Sequence, residues 1–417
     1  MPFSKGRGDL RLLGPPAFFH AVRTIPYGYP HSNIKLTELY YRDPIDGIEV
    51  GPISFDEFTL LVGASGVGKT TILNAALWVR RSALSLWRSE FDFKREWNVA
   101  FETDEGTRYE WGGKFSSETM QRYQPETNRW EKGVYPEREI LKAGKRRYCG
   151  KKRGRGPLRY LGRRIPNLSP EISLVSVLRK EKQVAPIYSG WRQMDYSDYA
   201  EMNANNRHPD FIRTPLDELE MRYNPLEKIR NTRFDDDRHF EYSGFYFAYK
   251  NRLPEFDRIR NRFCEIFPFV EDVLFVKDPQ YDVYPTPAFR EIGVDKPIEK
   301  FGMSAGMLRT LVLLSELHLC PDGTVFLIDE FENGLGVNCI DELTNELIVT
   351  ERKLQFVITS HHPYIINKAP PRYWKLVTRN AGKIKAQSME KYRLGNSKHE
   401  LFMQLLQLKA FQTGREE

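Results

Sequence analysis

The sequence predicts an α/β fold: a mixed sheet flanked by helices, with an antiparallel β lobe and a largely helical insertion. Three observations carry this. In the last third, short and wholly apolar runs alternate with segments of helical spacing, as in strands buried on both faces. A glycine-rich turn at 63–70 joins one such run to a helix. Two strand-like runs, Trp97–Phe101 and Thr107–Trp111, flank Asp104-Glu105-Gly106, a hairpin signal.

Taken in order, residues 1–33 are rich in Gly, Pro and aromatics without a period and read as an N-terminal extension. Ile34–Tyr41, Ile53–Phe55 and Thr59–Val62 read as strands, and Thr70–Val79 as a helix. After the hairpin comes a basic segment that Gly144, Gly150, Gly154 and Gly156 make loop-like. Ile172–Leu178 is another apolar run, and the charged stretch from Ser189 to Pro268 is mostly helical, most clearly at Glu255–Ile266. Val270–Val276 is strand-like. Ala305–Leu319 then reads as a helix, Thr324–Ile328 as a buried strand and Cys339–Val349 as a helix. Leu354–Thr359 and Tyr373–Val377 are further strands, and an amphipathic helix over Lys398–Phe411 closes the chain. The expected division is 1–33, 34–140, 141–268, 269–395 and 396–417.

The chain has 417 residues, 40% hydrophobic and 13% aromatic, enough to bury a core and too many for a disordered protein. Its longest apolar stretch, Leu311–Cys320, is interrupted by Ser315, Glu316 and His318, which predicts no membrane span. Four widely spaced cysteines (Cys149, Cys264, Cys320 and Cys339) give neither a disulfide framework nor a zinc spacing, and a reducing cytoplasm fits them. The net charge of +7 is unevenly spread: 11 cations and no acid lie between Lys142 and Arg164, leaving 52 bases against 56 acids elsewhere. With Tyr148 and Tyr160 interleaved, that segment fits either a track for a phosphate backbone or a solvated insertion. Asp235-Asp236-Asp237 reads as a solvated turn.

Chemistry concentrates in four places. Gly63, Ala64, Ser65, Gly66, Val67, Gly68, Lys69 and Thr70 form a complete GxxxxGK[ST] phosphate loop between a strand and a helix. With Thr71 they are the expected ATP-binding residues. Glycines let successive N–H groups face a phosphate, Lys69 reaches the β/γ-phosphates, and the Thr70 hydroxyl ligates Mg²⁺. Val325–Ile328 delivers Asp329 to the C-terminal edge of a buried strand as the second Mg²⁺ holder, with Glu330 as the base for the attacking water. Ser304 is a good N-cap, and Gly306 keeps the first turn of the following helix open to a phosphate. Finally, Thr359-Ser360-His361-His362-Pro363 ends another buried strand, with His361 able to bond a γ-phosphate.

This set, together with Glu332-Asn333-Gly334-Leu335, resembles the ABC-type ATPases, and within them the group of the overcoming-lysogenization-defect proteins, RecF and the SMC-like repair ATPases. The likeness covers roughly 34–110 and 270–390. It implies an ATP sandwiched between two protomers: one supplies Lys69, Thr70, Asp329, Glu330 and His361, and the other supplies Ser304 and Gly306. It also implies a Mg²⁺-sensing glutamine after a strand in the middle region, for which Gln183 is the candidate and Gln193 the next. Ala305, Met307, Phe331 and Gly336-Val337 depart from the family pattern, which implies slow turnover.

Only 56 residues follow His361, too few for an appended TOPRIM nuclease, and no long heptad tract is present. The expectation is a motor or switch without its own effector. In domain content it is most similar to the ATPases of anti-phage systems, PARIS first and Septu next. The implied partners are a second copy of the chain, a separate nuclease effector of TOPRIM or other type, and an acidic phage protein or DNA at the basic segment. The rival expectation is a DNA-binding repair or recombination ATPase.

Overall fold

The computed structural model describes residues 34–85, 95–115, 120–124, 129–133, 136–144, 146–152, 159–164, 173–198, 243–277, 285–392 and 398–415. The first part comprises β1 (Ile34–Asp43), β2 (Ile48–Ser54), β3 (Phe58–Val62), α1 (Lys69–Leu84), β4 (Glu96–Thr103) and β5 (Arg108–Phe115). A small pair, β6 (Met120–Gln124) and β7 (Arg129–Gly133), precedes β8 (Pro136–Ala143), β9 (Arg146–Lys152), β10 (Arg159–Tyr160) and β11 (Arg163–Arg164). The middle holds α2 (Leu174–Val177), α3 (Ala185–Arg192), β12 (Met194–Asp198), α4 (Ser243–Lys250) and α5 (Pro254–Ile266). Then come β13 (Val270–Lys277), β14 (Pro285–Glu291), β15 (Ile298–Glu299), α6 (Ala305–Leu319), β16 (Val325–Asp329) and α7 (Val337–Val349). The chain ends with β17 (Gln355–Thr359), α8 (Pro363–Lys368), β18 (Trp374–Asn380), β19 (Lys383–Ser388), α9 (Lys398–Gln407) and α10 (Lys409–Thr413).

One sheet runs through the described residues in the order β11-β10-β9-β8-β5-β4-β1-β2-β19-β18-β3-β17-β16-β12. Its centre is parallel: β18, β3, β17, β16 and β12 pair in one direction. All five residues of β3, of β16 and of β17 are buried. Alternation along these strands feeds two cores. Leu60, Val62, Phe326, Ile328, Phe356 and Ile358 join the α4–α7 side; Leu61, Val325, Leu327 and Val357 join the α1–α3 side. Each such side chain removed from water contributes about 1.5–3 kcal/mol, so both faces must be covered for the site-bearing strands to stay in place.

From β2 through β11 the sheet is antiparallel, and a separate three-stranded sheet holds β13, β14 and β15. Trp78 of α1 docks on the lobe, with ring centroids 5.8 Å from Trp97 and 5.3 Å from Phe115. The hairpin is present as expected, with Gly106 at φ +74 donating its N–H to Thr103 O.

Three expectations need correction. The basic segment is paired, not loop-like: β8 leaves a free edge and β9 takes it, with Gly150 opposite Ile140 on one side and Arg159 on the other. Gly154 and Gly156 lie outside the described residues, as do residues 1–33 and Asp235–Asp237. The strand expected from Ile53 starts at Ile48, because Gly51-Pro52 is accommodated by a register shift against β1 between Leu39 and Tyr41. The closing helix is two helices, since Leu408 adopts an extended ψ of 124° at their junction.

Candidate functional site

β3 ends at Val62 and the chain turns through the phosphate loop on three glycines with positive φ: Gly63 at +146, Gly66 at +77 and Gly68 at +102. A Cβ on Gly63 would stand 2.6 Å from the backbone Val377 O of β18, and one on Gly68 2.4 Å from the tip of the Ile384 side chain, while the positive φ of both positions strains any L side chain. Gly68 caps α1 without a side-chain hydrogen bond, leaving the first N–H groups of the helix for an anion. Lys69 is buried and donates to its own loop, to Gly63 O at 2.9 Å and Ala64 O at 2.8 Å. Burial lowers its pKa to about 8, against the pull of Asp329, Glu330 and Glu332. Thr70 is exposed beside it and Thr71 half-buried.

The acids arrive from β16. Asp329 is buried, and its Oδ1 accepts a hydrogen bond of 2.5 Å from the Thr359 hydroxyl at the end of β17. The same hydroxyl accepts the Glu330 N–H at 2.8 Å, so one buried Thr ties the two acidic positions to the neighbouring strand. Glu330 sits at φ +44, a left-handed conformation that costs a non-glycine residue about 1–3 kcal/mol and concentrates at functional sites. Its carboxylate accepts from the Asn333 amide. Arg309 of α6, 1% exposed, reaches the Glu330 and Phe331 carbonyls at 3.4 and 3.3 Å. The His361 N–H donates to Glu332 Oε1 at 2.6 Å. Burial, and after it the Lys69 charge, pushes the His361 imidazole below its usual pKa.

The parallel register of β3, β17 and β16 places the phosphate loop, Asp329-Glu330 and His361 at the same C-terminal sheet edge. Ser304 caps α6 as expected, accepting the Met307 N–H at 3.2 Å, and is exposed. Gly306 packs on the 334–336 turn of the same chain, where a Cβ would lie 3.0 Å from Gly334 O. The middle-region strand is β12, parallel to β16 with Asp198 opposite Asp329. Gln183 and Gln193 both precede it, so neither occupies the position expected of a Mg²⁺-sensing glutamine. Gln183 accepts from Tyr160 Oη at 2.5 Å, and Gln193 C-caps α3 at the N-terminal end of β12, the opposite sheet edge from Asp329.

Among the described residues no group of three or more His, Cys, Asp or Glu side chains could by itself hold a metal. The donors fit Mg²⁺ in a different way. Thr70 Oγ1 and Asp329 would hold it, with phosphate oxygens and water filling the remaining positions, as this ion prefers. Thr359, Asn333 and Arg309 were not expected in the site. The first two stand inside motifs already noted, but nothing in spacing tells that Thr359 bridges two strands.

A family profile described as "AAA domain, putative AbiEii toxin, Type IV TA system" matches residues 187–367, which hold Ser304, Asp329, Glu330 and His361 but not the phosphate loop. No curated protein matches the chain. Among solved structures, an SMC head bound to the C-terminal winged-helix domain of ScpA is similar at 16% identity, over 87% of this chain and 100% of that one, with a TM-score of 0.47. A Pyrococcus furiosus Smc head with an extended coiled coil, bound to the C-terminal domain of ScpA, gives 13%, 86%, 98% and 0.45. The Thermotoga maritima SMC head domain gives 13%, 85%, 98% and 0.40. The mixed sheet and the phosphate loop at its parallel edge make this a P-loop ATPase fold.

Proposed function

We propose that the protein binds and hydrolyses ATP with Mg²⁺ at this edge, and that it serves as the cytoplasmic sensing and scaffold subunit of a bacterial anti-phage complex. In this reading it holds a separate toxic nuclease and releases it on a trigger. The observation that carries the ATPase reading is the meeting of Lys69, Asp329, Glu330, Thr359 and His361 at one sheet edge. Lys69 exchanges its loop carbonyls for the β/γ-phosphates, Thr70 and Asp329 hold the metal, and Glu330 takes the proton of the attacking water. His361 donates one ring N–H toward the terminal phosphate. Ser304 and Gly306, at the exposed start of α6, complete the site of a second protomer in a two-fold ATP sandwich.

The defence reading draws on domain content and on the toxin–antitoxin description matched over 187–367. Within it the PARIS-type assignment, with Septu next, gives the basic segment a purpose as the dock for an acidic phage protein, and makes a TOPRIM-type nuclease the partner. The test is purification of tagged Glu330→Gln protein co-expressed with its flanking genes, followed by native mass in ATP. A second protein retained in fixed ratio on two or more ATPase copies supports this reading. A bare dimer carrying nucleic acid and no partner sinks it.

That second outcome belongs to a DNA-repair ATPase, which one observation favours. Among the described residues, the lysine- and arginine-bearing strands β9, β10 and β11 form one edge of the sheet. It predicts duplex binding that weakens steeply with salt and is lost when Lys151, Lys152, Arg153 and Arg155 are reversed in charge. If the same reversal leaves the trigger response unchanged, the docking role is wrong.

A further inference from the structure

A phosphate loop binds through backbone N–H groups, so its affinity depends on the loop holding one shape before the anion arrives. Two of the approaches that restrain it come from the sheet, where Val377 O of β18 meets Gly63 and the Ile384 side chain of β19 meets Gly68. The third comes from the turn that follows α10. A Cβ on Gly414 would stand 2.3 Å from Val67 Cγ1 and 3.6 Å from both Val67 Cβ and Ala64 Cβ. Val67 is buried, and its Cγ2 lies 3.5 Å from where a Gly63 Cβ would be. It therefore stands between the 414 turn and the start of the loop.

Gly414 is itself held firmly. Its N–H donates to Ala410 O at 3.0 Å, closing α10, and its carbonyl accepts the Arg379 N–H of β18 at 2.7 Å. The helices before it are anchored, since Phe402 and Leu405 of α9 are buried in the α4–α7 core and Leu408, Ala410 and Phe411 pack against it. A left-handed helix cap alone accounts for the φ of +71, and asparagine also serves at such caps. The 2.3 Å approach to Val67 is a separate demand. It leaves no room for any Cβ unless Val67 moves, and moving Val67 moves the phosphate loop.

We propose that Gly414 is a positioning residue for nucleotide binding: the turn after α10 backs Val67 and holds the phosphate loop in the shape that receives the phosphates. The role rests on the ATPase reading and adds to it an element that no phosphate-loop motif contains. Its test is a double-mutant cycle on full-length protein with Gly414→Ala and Val67→Ala. The readouts are calorimetric affinity for MgATP, KM and kcat, with melting in the absence of nucleotide to check that each variant is folded. Residues in direct contact couple by about two- to a hundred-fold in an equilibrium constant.

The expected result for Gly414→Ala is MgATP binding weakened and KM raised by about tenfold with kcat kept, the signature of lost binding and not of lost chemistry. Adding Val67→Ala should recover most of that affinity, because the methyl gained at 414 takes the room given up at 67. The left-handed strain at 414 is the same in both proteins and cancels from the comparison. A loss that persists in the double variant overturns the role, since 414 then acts through strain alone. Unchanged MgATP affinity in folded Gly414→Ala protein overturns it as well. Should that variant not fold, Gly414→Asn, whose conformation the cap tolerates, takes its place with the same two outcomes. A wild type that binds no MgATP refutes the ATPase reading itself and is told apart from both.

Discussion

At the scale of the residue, Lys69 carries a prediction in its surroundings. Burial holds its ammonium at about pKa 8 while three carboxylates pull the other way. The cation that attracts phosphate is therefore present below pH 8 and lost as pH rises through it, and a bound anion favours the protonated form. MgATP affinity should fall from pH 8 to 9.5, approaching tenfold per pH unit. Lys69→Arg, charged throughout, should be weaker but flat over the same range. Equal slopes in the two proteins, read by titration calorimetry, would contradict the assignment. Thr359 is the second such residue. Thr359→Val removes the link to Asp329 and Glu330 at little change in volume. It should cost about 1–3 kcal/mol of stability and about 10–100-fold in turnover, as expected of a group that orients a metal ligand. Denaturant melts and phosphate release check the two halves. The positions of Lys69, Asp329 and Glu330 were legible because their motifs place them directly after short buried strands. Thr359 was not, because its role exists only once β16 and β17 lie side by side.

Among the elements, α6 was expected over the residues it occupies, since its apolar spacing and the Ser304 cap agree. Ser304→Ala should cost about 0.5–2 kcal/mol through the lost cap. Ser304→Asp keeps a capping oxygen but sets a negative charge where a partner's nucleotide would lie. Stability retained with turnover lost is the expected outcome for the aspartate, measured by thermal melts beside ATPase assays. Full turnover would confine Ser304 to capping. The buried strands β16 and β17 were equally plain, being short, apolar and bounded by polar turns. β9 and β12 were not: glycines and charges in one, and Tyr, Ser and Asp in the other, conceal strands whose pairing comes from a neighbour's open edge. Propensity yields to tertiary context in such strands. Gln183 was read as coming after the apolar run Ile172–Leu178, which holds helix α2 and not a strand, and both it and Gln193 precede β12.

For the molecule as a whole, the described residues form a parallel stretch of sheet covered on both faces, continued by an antiparallel lobe that ends in the basic strands β9–β11. The charge asymmetry was visible in sequence, but not its placement on paired strands at the end of a continuous sheet. No helix among the described residues is long and apolar enough to cross a membrane. Phosphate release from ATP by wild type and Glu330→Gln, with bound nucleotide assayed in parallel, tests hydrolysis at the Lys69–Asp329–Glu330 edge. Removing the base should slow turnover about 100-fold or more while ATP stays bound in stoichiometric amount. A Glu330→Gln protein as fast as wild type, or a wild type that releases no phosphate, would rule that hydrolysis out.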